Sequence, residues 1–140
     1  MNGDAWMISI ATITIKTTKP RAVAAFWRDL LGYEVAPNLT DSVLLEGNGP
    51  SLLIQPATRQ AAPGAIHLDL RPDDQGDAVA AALALGASHA DIGQTGQEGW
   101  VVLADPAGNL FCVLEGRAAH AARMTGRTPT PTPVCGHDEG

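Results

Sequence analysis

The sequence has little positive charge and no long apolar run, and each shortage excludes a class of partner. Lysine and arginine together number 9 against 15 aspartates and glutamates, which gives a net charge of −6. Nucleic acids and anionic membrane surfaces are bound by basic patches, so neither is an expected partner. No apolar run approaches the roughly 20 residues of a membrane span, and no signal-peptide pattern opens the sequence. We therefore expect a cytoplasmic protein.

Cysteine is also scarce. The two cysteines, Cys112 and Cys135, have no spacing typical of metal ligands. The sequence predicts a buried thiol at Cys112 and a free thiol at Cys135, rather than a disulfide.

Patterned segments occur in the same order twice along the chain. A strand, a helix and three short strands are predicted between about residues 7 and 56, and the same series is predicted between about residues 65 and 116. The repeat predicts two βαβββ modules within one domain at residues 1–116. Residues 117–140 are rich in threonine, proline and glycine towards the end and are predicted to form a flexible tail.

The clearest local signal is a β-hairpin at residues 100–115. Apolar and β-branched runs flank the turn sequence Asp-Pro-Ala-Gly-Asn at 105–109. Within the second strand, Phe111, Val113 and Glu115 alternate with the other residues and share one face. The strand therefore carries a carboxylate at its end, which requires a cation, a hydrogen-bond donor or water as its partner.

Several of these features together resemble the vicinal oxygen chelate superfamily, which includes glyoxalases, extradiol dioxygenases and bleomycin-binding resistance proteins. They are Phe26-Trp27, Leu30-Leu-Gly32, the strand with His67, the 105–109 turn and Glu115. The resemblance implies an α+β fold in which two tandem βαβββ modules form a cup-shaped, mixed or antiparallel β-sheet of two half-barrels. The helices would lie outside, the ligand inside, and the protein would be a homodimer.

The resemblance also implies where a ligand binds. The superfamily's metal-binding positions correspond to Thr12 and Gln55 in the first module and to His67 and Glu115 in the second. Gln55 is matched to Glu115 by aligning the sequence around it with residues 112–116. The ligand-binding residues expected to face the cup are Thr12, Gln55, His67, Asp69, Phe111, Val113 and Glu115.

The metal pattern is incomplete in this sequence. His67 and Glu115 are suitable ligands for a divalent ion, but threonine replaces the first expected ligand, and the Gln55 amide is a weak one. We therefore expect no cofactor, with a divalent ion (Zn, Ni, Mn or Fe) on His67 and Glu115 as the alternative. Without a metal, His67 and Glu115 are predicted to pair with each other.

Three functions fit the sequence. The first is binding of a small apolar or aromatic molecule without a full metal site. The second is a metal-dependent lyase, isomerase or dioxygenase in which His67 and Glu115 are the catalytic residues. The third is a non-catalytic dimeric scaffold. The absence of a first-strand metal ligand favours the first over the second.

Overall fold

The computed structural model describes residues 9–37, 39–95 and 99–125. The chain divides into two compact units, Met1–Arg59 and Gln60–Gly140. The first contains β1 (Thr12–Thr17), α1 (Pro20–Leu31), β2 (Glu34–Val35), β3 (Val43–Glu46) and β4 (Ser51–Pro56). The second contains β5 (Leu68–Leu70), α2 (Gln75–Ala84), β6 (Ser88–His89), β7 (Trp100–Ala104), β8 (Leu110–Leu114) and α3 (Arg117–Thr125).

Each unit has one four-stranded mixed sheet, and the two sheets have the same topology. The strand orders are β1-β4-β3-β2 and β5-β8-β7-β6. The first and last strands of each βαβββ series are parallel neighbours, and the remaining pairs are antiparallel. The predicted α+β class with two βαβββ modules is confirmed. None of the helices in the described part of the chain has the length and apolar character needed to cross a membrane.

In the first unit, α1 covers one face of its sheet. Proline suits the first helical turn, and α1 begins at Pro20 and ends before Gly32, whose φ of 71° closes the helix in the left-handed region. Its apolar stripe buries Val23, Phe26 and Trp27, and α1 contacts β1, β3 and β4. The buried sheet residues on that face are Ile15, Leu45, Leu52 and Ile54.

In the second unit, the predicted hairpin is confirmed. β7 and β8 pair from Trp100 opposite Leu114 to Ala104 opposite Leu110. The turn between them contains Gly108, whose φ of 91° favours glycine. Asp105 organises this turn from inside, because its buried carboxylate accepts hydrogen bonds from the backbone N–H groups of Ala107 and Asn109.

The prediction of an irregular tail from residue 117 is wrong for residues 117–125, which form α3. The segment contains alanine, arginine and methionine, all good helix formers, and its first backbone N–H, that of Arg117, bonds to the carbonyl oxygen of Pro72. The threonine- and proline-rich part of the predicted tail, residues 126–140, lies outside the described residues.

Candidate functional site

The strand register determines which side chains of the second sheet share a face. Leu68 lies opposite Phe111, Asp69 opposite Cys112, and Leu70 opposite Val113. Directly paired residues point to the same side of a sheet, and residues two apart along a strand also share a side. His67 and Asp69 are therefore on the side of Cys112, whereas Phe111 and Val113 are on the side of Leu68 and Leu70.

The prediction that Phe111 and Val113 share a face with His67 and Asp69 is therefore wrong. Phe111 and Val113 are both fully buried, in the core of the second unit. Alternation within one strand shows which of its own residues share a face, but the register with the neighbouring strand decides how the faces of the two strands match.

We define the His67 face by six residues that the register places together on the second sheet: His67, Asp69, Trp100, Val102, Cys112 and Leu114. Val102 and Cys112 are fully buried, and the half-buried Trp100 and Leu114 pack against them together with Ala90. The face is therefore mainly apolar, with a polar end at His67 and Asp69. None of these apolar residues is among the predicted ligand-binding residues, and the only signal for them in the sequence is their shared parity across the hairpin.

Two ring nitrogens on the His67 face have no hydrogen-bond partner among the described residues. They are Nε2 of His67 and Nε1 of Trp100, and both atoms are buried. The His67 nitrogen lies 3.3 Å from Oδ1 of Asp69, which is within ion-pair range. A hydrogen bond also requires alignment of donor and acceptor, and this contact does not meet that requirement. Such orphaned groups in an apolar setting are uncommon and call for a partner.

The third polar group of this face is the sulfur of Cys112. The ligand-capable atoms of His67, Asp69 and Cys112 all lie within 4.8 Å of one another. Cys112 is buried, as the sequence predicted, but it is disulfide-bonded rather than a thiol. Cys135, the other cysteine of the sequence, lies outside the described residues.

Glu115 has different partners from those predicted. Its Oε2 accepts hydrogen bonds from Nε of Arg123 at 3.0 Å and from the second guanidinium nitrogen of Arg123, and it lies 3.2 Å from Nδ1 of His120. Both partners are on α3. The predicted pairing of His67 with Glu115 is wrong, because Glu115 is bonded to His120 and Arg123, and the carboxylate near Nε2 of His67 is that of Asp69, 3.3 Å away. The sequence did not indicate this because residues 117–125 were not expected to be helical.

The environment of Glu115 favours its ionised form. The hydrogen bond from Arg123 lowers the pKa of the Glu115 carboxyl below its ordinary value, against the opposing effect of desolvation, and His120 lowers it further. The carboxylate therefore serves to attach α3 to the end of β8.

Acidification is expected to weaken this attachment. Because the pKa of Glu115 is lower in the folded chain than in the unfolded chain, its stabilising contribution is fully present above the ordinary glutamate value of about 4.3 and is lost as the pH falls through the lowered value. The contribution is at most about 1 kcal/mol, since the pair is partly solvated. Urea unfolding of the parent and Glu115→Gln proteins should differ at neutral pH and converge when the pH is brought below the lowered pKa of Glu115. Glu46→Gln, at an exposed strand position, is the control, and a Glu115→Gln difference that is equal at both pH values would contradict the prediction.

In the first unit, Thr12 and Gln55 lie on the same face of their sheet. Thr12 is opposite Ser51 and Gln55 is opposite Lys16, at the two ends of the paired strands β1 and β4. Thr12 is exposed and Gln55 is half-buried. Their predicted contact with a ligand stays a prediction.

The register also corrects the alignment of the two last strands. In β4 the buried residues opposite β1 are Leu52 and Ile54, and in β8 the buried residues opposite β5 are Phe111 and Val113. These pairs correspond, so Gln55 corresponds to Leu114 and not to Glu115. An apolar side chain thus occupies the last-strand position, and Glu115 is held by α3. A metal centre built from His67 and Glu115 does not fit this arrangement.

A second candidate site is a cleft of about 470 Å³ beside the N-termini of α2 and α3. Its acidic side chains already have partners. Asp73 is 2.8 Å from Nε of Arg117, Asp74 accepts the N–H of Asp77, and Glu115 is bonded to α3. These contacts satisfy the charges of the cleft within the chain, so the His67 face is the stronger candidate.

Comparison with known proteins places this fold in a family. The model of the glyoxalase-like domain matches residues 12–114, and the chain belongs to that family. The resemblance to the vicinal oxygen chelate superfamily is thereby confirmed. No curated protein matches the chain.

Solved structures with this fold include proteins of different kinds. One is a glyoxalase/bleomycin resistance protein/dioxygenase family enzyme from Burkholderia phytofirmans PsJN, with a TM-score of 0.62, 16% identity, and coverage of 77% of this chain and 98% of the other. A lactoylglutathione lyase from Agrobacterium tumefaciens has a TM-score of 0.54, 23% identity and coverage of 76% and 92%. The antibiotic-binding protein TnmS3 from Streptomyces sp. CB03234 has a TM-score of 0.58, 17% identity and coverage of 77% and 95%. At these identities the likeness concerns the fold alone.

Proposed function

We propose that the protein binds a small apolar or aromatic molecule on the His67 face, and that the ligand accepts a hydrogen bond there. The observation that carries the proposal is the pair of unpartnered ring nitrogens, on His67 and Trp100, within a mainly apolar surface. Ligand sites typically combine apolar walls with a few polar groups that orient the ligand. A carbonyl or phenolic oxygen of the ligand would satisfy the indole N–H.

Two further observations favour binding over metal-dependent catalysis by His67 and Glu115. The Glu115 carboxylate is engaged by Arg123 and His120, so it is not positioned as a metal ligand or general acid beside His67. A protein of the same fold, TnmS3, is an antibiotic-binding protein, which supports binding as a use of this architecture. The expected homodimer and the scaffold alternative stay predictions.

A thermal-shift screen of aromatic and polycyclic natural products tests the proposal. A ligand present at 100 times its Kd should stabilise the protein by about 2.7 kcal/mol. The affinity of each hit should then be measured by calorimetry for the parent and for Trp100→Phe, which removes the N–H and keeps an aromatic ring. We expect Kd to rise about tenfold, the value of one hydrogen bond of about 1.4 kcal/mol.

The matched control is Tyr33→Phe, which also removes one polar group from an aromatic ring. The Tyr33 hydroxyl bonds to the backbone at Gly49 and Pro50 and belongs to the first unit, whereas the His67 face belongs to the second sheet. Ligand affinity should be unchanged in this variant. A screen without hits, or hits that bind Trp100→Phe as tightly as the parent, would refute the proposal.

A further inference from the structure

The three polar groups of the His67 face come from neighbouring strands whose register brings them together. Asp69 on β5 lies directly opposite Cys112 on β8, and His67 precedes Asp69 by two residues on the same side. The nitrogen, oxygen and sulfur atoms of the three side chains lie within 4.8 Å of one another. This juxtaposition follows from the backbone ladder rather than from one flexible side chain.

The three side chains supply an imidazole, a carboxylate and, when reduced, a thiolate. This donor set suits a divalent cation of intermediate softness such as zinc. Three protein ligands with an open fourth position are the usual arrangement of a reactive zinc site, and a thiolate discriminates against magnesium and calcium. Zinc lies about 2.0–2.3 Å from its ligands, so bound donors are roughly 3.3–3.8 Å apart, and small side-chain rotations would bring these three into range. The unpartnered Nε2 of His67 independently indicates a missing partner at this point.

The oxidation state of the Cys112 sulfur determines whether all three donors are present. Cys112 is disulfide-bonded, and a disulfide sulfur carries no thiolate charge, so the donor set is incomplete in the oxidised chain. We propose that reduction of the Cys112 disulfide creates a zinc-type metal site formed by His67, Asp69 and Cys112. This donor set differs from the His67 and Glu115 pair that the superfamily resemblance implies, and it does not depend on the proposed small-molecule ligand.

Formation of the metal site requires two steps, reduction of the disulfide and binding of the cation. A dithiol reductant supplies two electrons and two protons to the disulfide, which becomes two thiols, while the reductant becomes a cyclic disulfide. When the cation binds, the Cys112 thiol releases its proton to solvent and coordinates as the thiolate. The oxidised protein should therefore bind the cation weakly, and the reduced protein should bind one cation per chain.

Cobalt(II) is the probe, because it substitutes for zinc and its thiolate complexes absorb in the near ultraviolet. The full chain is reduced with dithiothreitol, desalted without oxygen, and titrated with cobalt beside an untreated sample. We expect a sulfur-to-cobalt absorption band that saturates at one equivalent in the reduced sample only. Equal binding by both samples, or no band in the reduced sample, would overturn the proposal.

Variants assign the ligands. Asp69→Asn keeps the shape of the side chain and removes its charge, and His67→Ala removes the imidazole. Each of these two single variants should weaken cobalt binding by about tenfold or more. Cys112→Ala should lose the band even after reduction, which identifies the sulfur. His89→Ala and Asp73→Ala, at exposed positions of the same unit, are the matched controls and should bind as the parent does. Circular dichroism confirms that each variant is folded, and tight binding by folded Asp69→Asn and His67→Ala would refute the assignment. A failed small-molecule screen leaves this result unaffected, because the cobalt titration uses none of the screened compounds and is read from a sulfur-to-cobalt absorption band.

Discussion

Replacing Asp105 by alanine is expected to lower the free energy of unfolding by about 3–5 kcal/mol, because it leaves several buried donors without an acceptor. Oδ1 of Asp105 accepts hydrogen bonds from the backbone N–H of Ala107 at 2.9 Å and of Asn109 at 3.0 Å. The side-chain amide of Asn109 donates to both carboxylate oxygens, at 3.1 and 2.9 Å. The carboxylate is 3% exposed, so water cannot replace these bonds without opening the turn.

Urea unfolding followed by circular dichroism measures this effect. Asp73→Ala is the matched control in the same unit. The Asp73 side chain is 91% exposed and pairs with Arg117, and such surface pairs contribute less than about 1 kcal/mol. The interpretation of Asp105 as the organiser of the hairpin turn fails if the two variants lose similar stability.

Phe111→Ala is expected to destabilise the protein by a comparable amount, about 3–5 kcal/mol. The ring is fully buried and lies between Leu68 and Leu103 on neighbouring strands. Truncation to alanine loses the free energy gained by transferring the ring from water to the protein core. It also leaves a cavity, because the hydrogen-bonded strands cannot move together to fill it. The expected result is therefore a loss of stability rather than a selective loss of ligand affinity.

Phe111→Leu provides the comparison, because it keeps most of the apolar volume and should cost less than half as much as the alanine variant. Both variants should be unfolded in urea and titrated with any ligand found by the screen. If Phe111→Ala keeps the stability of the parent but loses ligand binding, Phe111 contacts the ligand, and its assignment to the core is wrong.

The hairpin and the repeated order of elements were predictable from the sequence because their signals are local. The turn at 105–109 combines proline, glycine and asparagine between two β-branched runs, and the structure has β7 and β8 on either side of it. The ends of the first helix also have local signals in the sequence, since α1 begins at Pro20 and ends before Gly32. Such features depend on neighbouring residues, which the sequence shows directly.

The composition of the candidate site was not predictable, because it depends on pairing between distant residues. The alternation in β8 correctly grouped Phe111 with Val113, but only the register with β5 shows that Leu68 and Leu70 share their side. Glu115 was assigned to His67 because its actual partners, His120 and Arg123, lie in residues 117–125, which were predicted to belong to a flexible tail. His67 and Asp69 were identified correctly as neighbours on one face, since they are two residues apart.

The parallel pairing of the first and last strands has a consequence for synthesis of the chain. β1 pairs with β4, and β5 pairs with β8, so each opening strand pairs with the strand that is translated last in its series. A nascent chain that ends before β4 leaves β1 without a neighbour on the ribosome, and formation of the sheet must wait for a contact between residues far apart in sequence. Such non-local closure slows folding, so we expect each series to fold only after its final strand has left the exit tunnel.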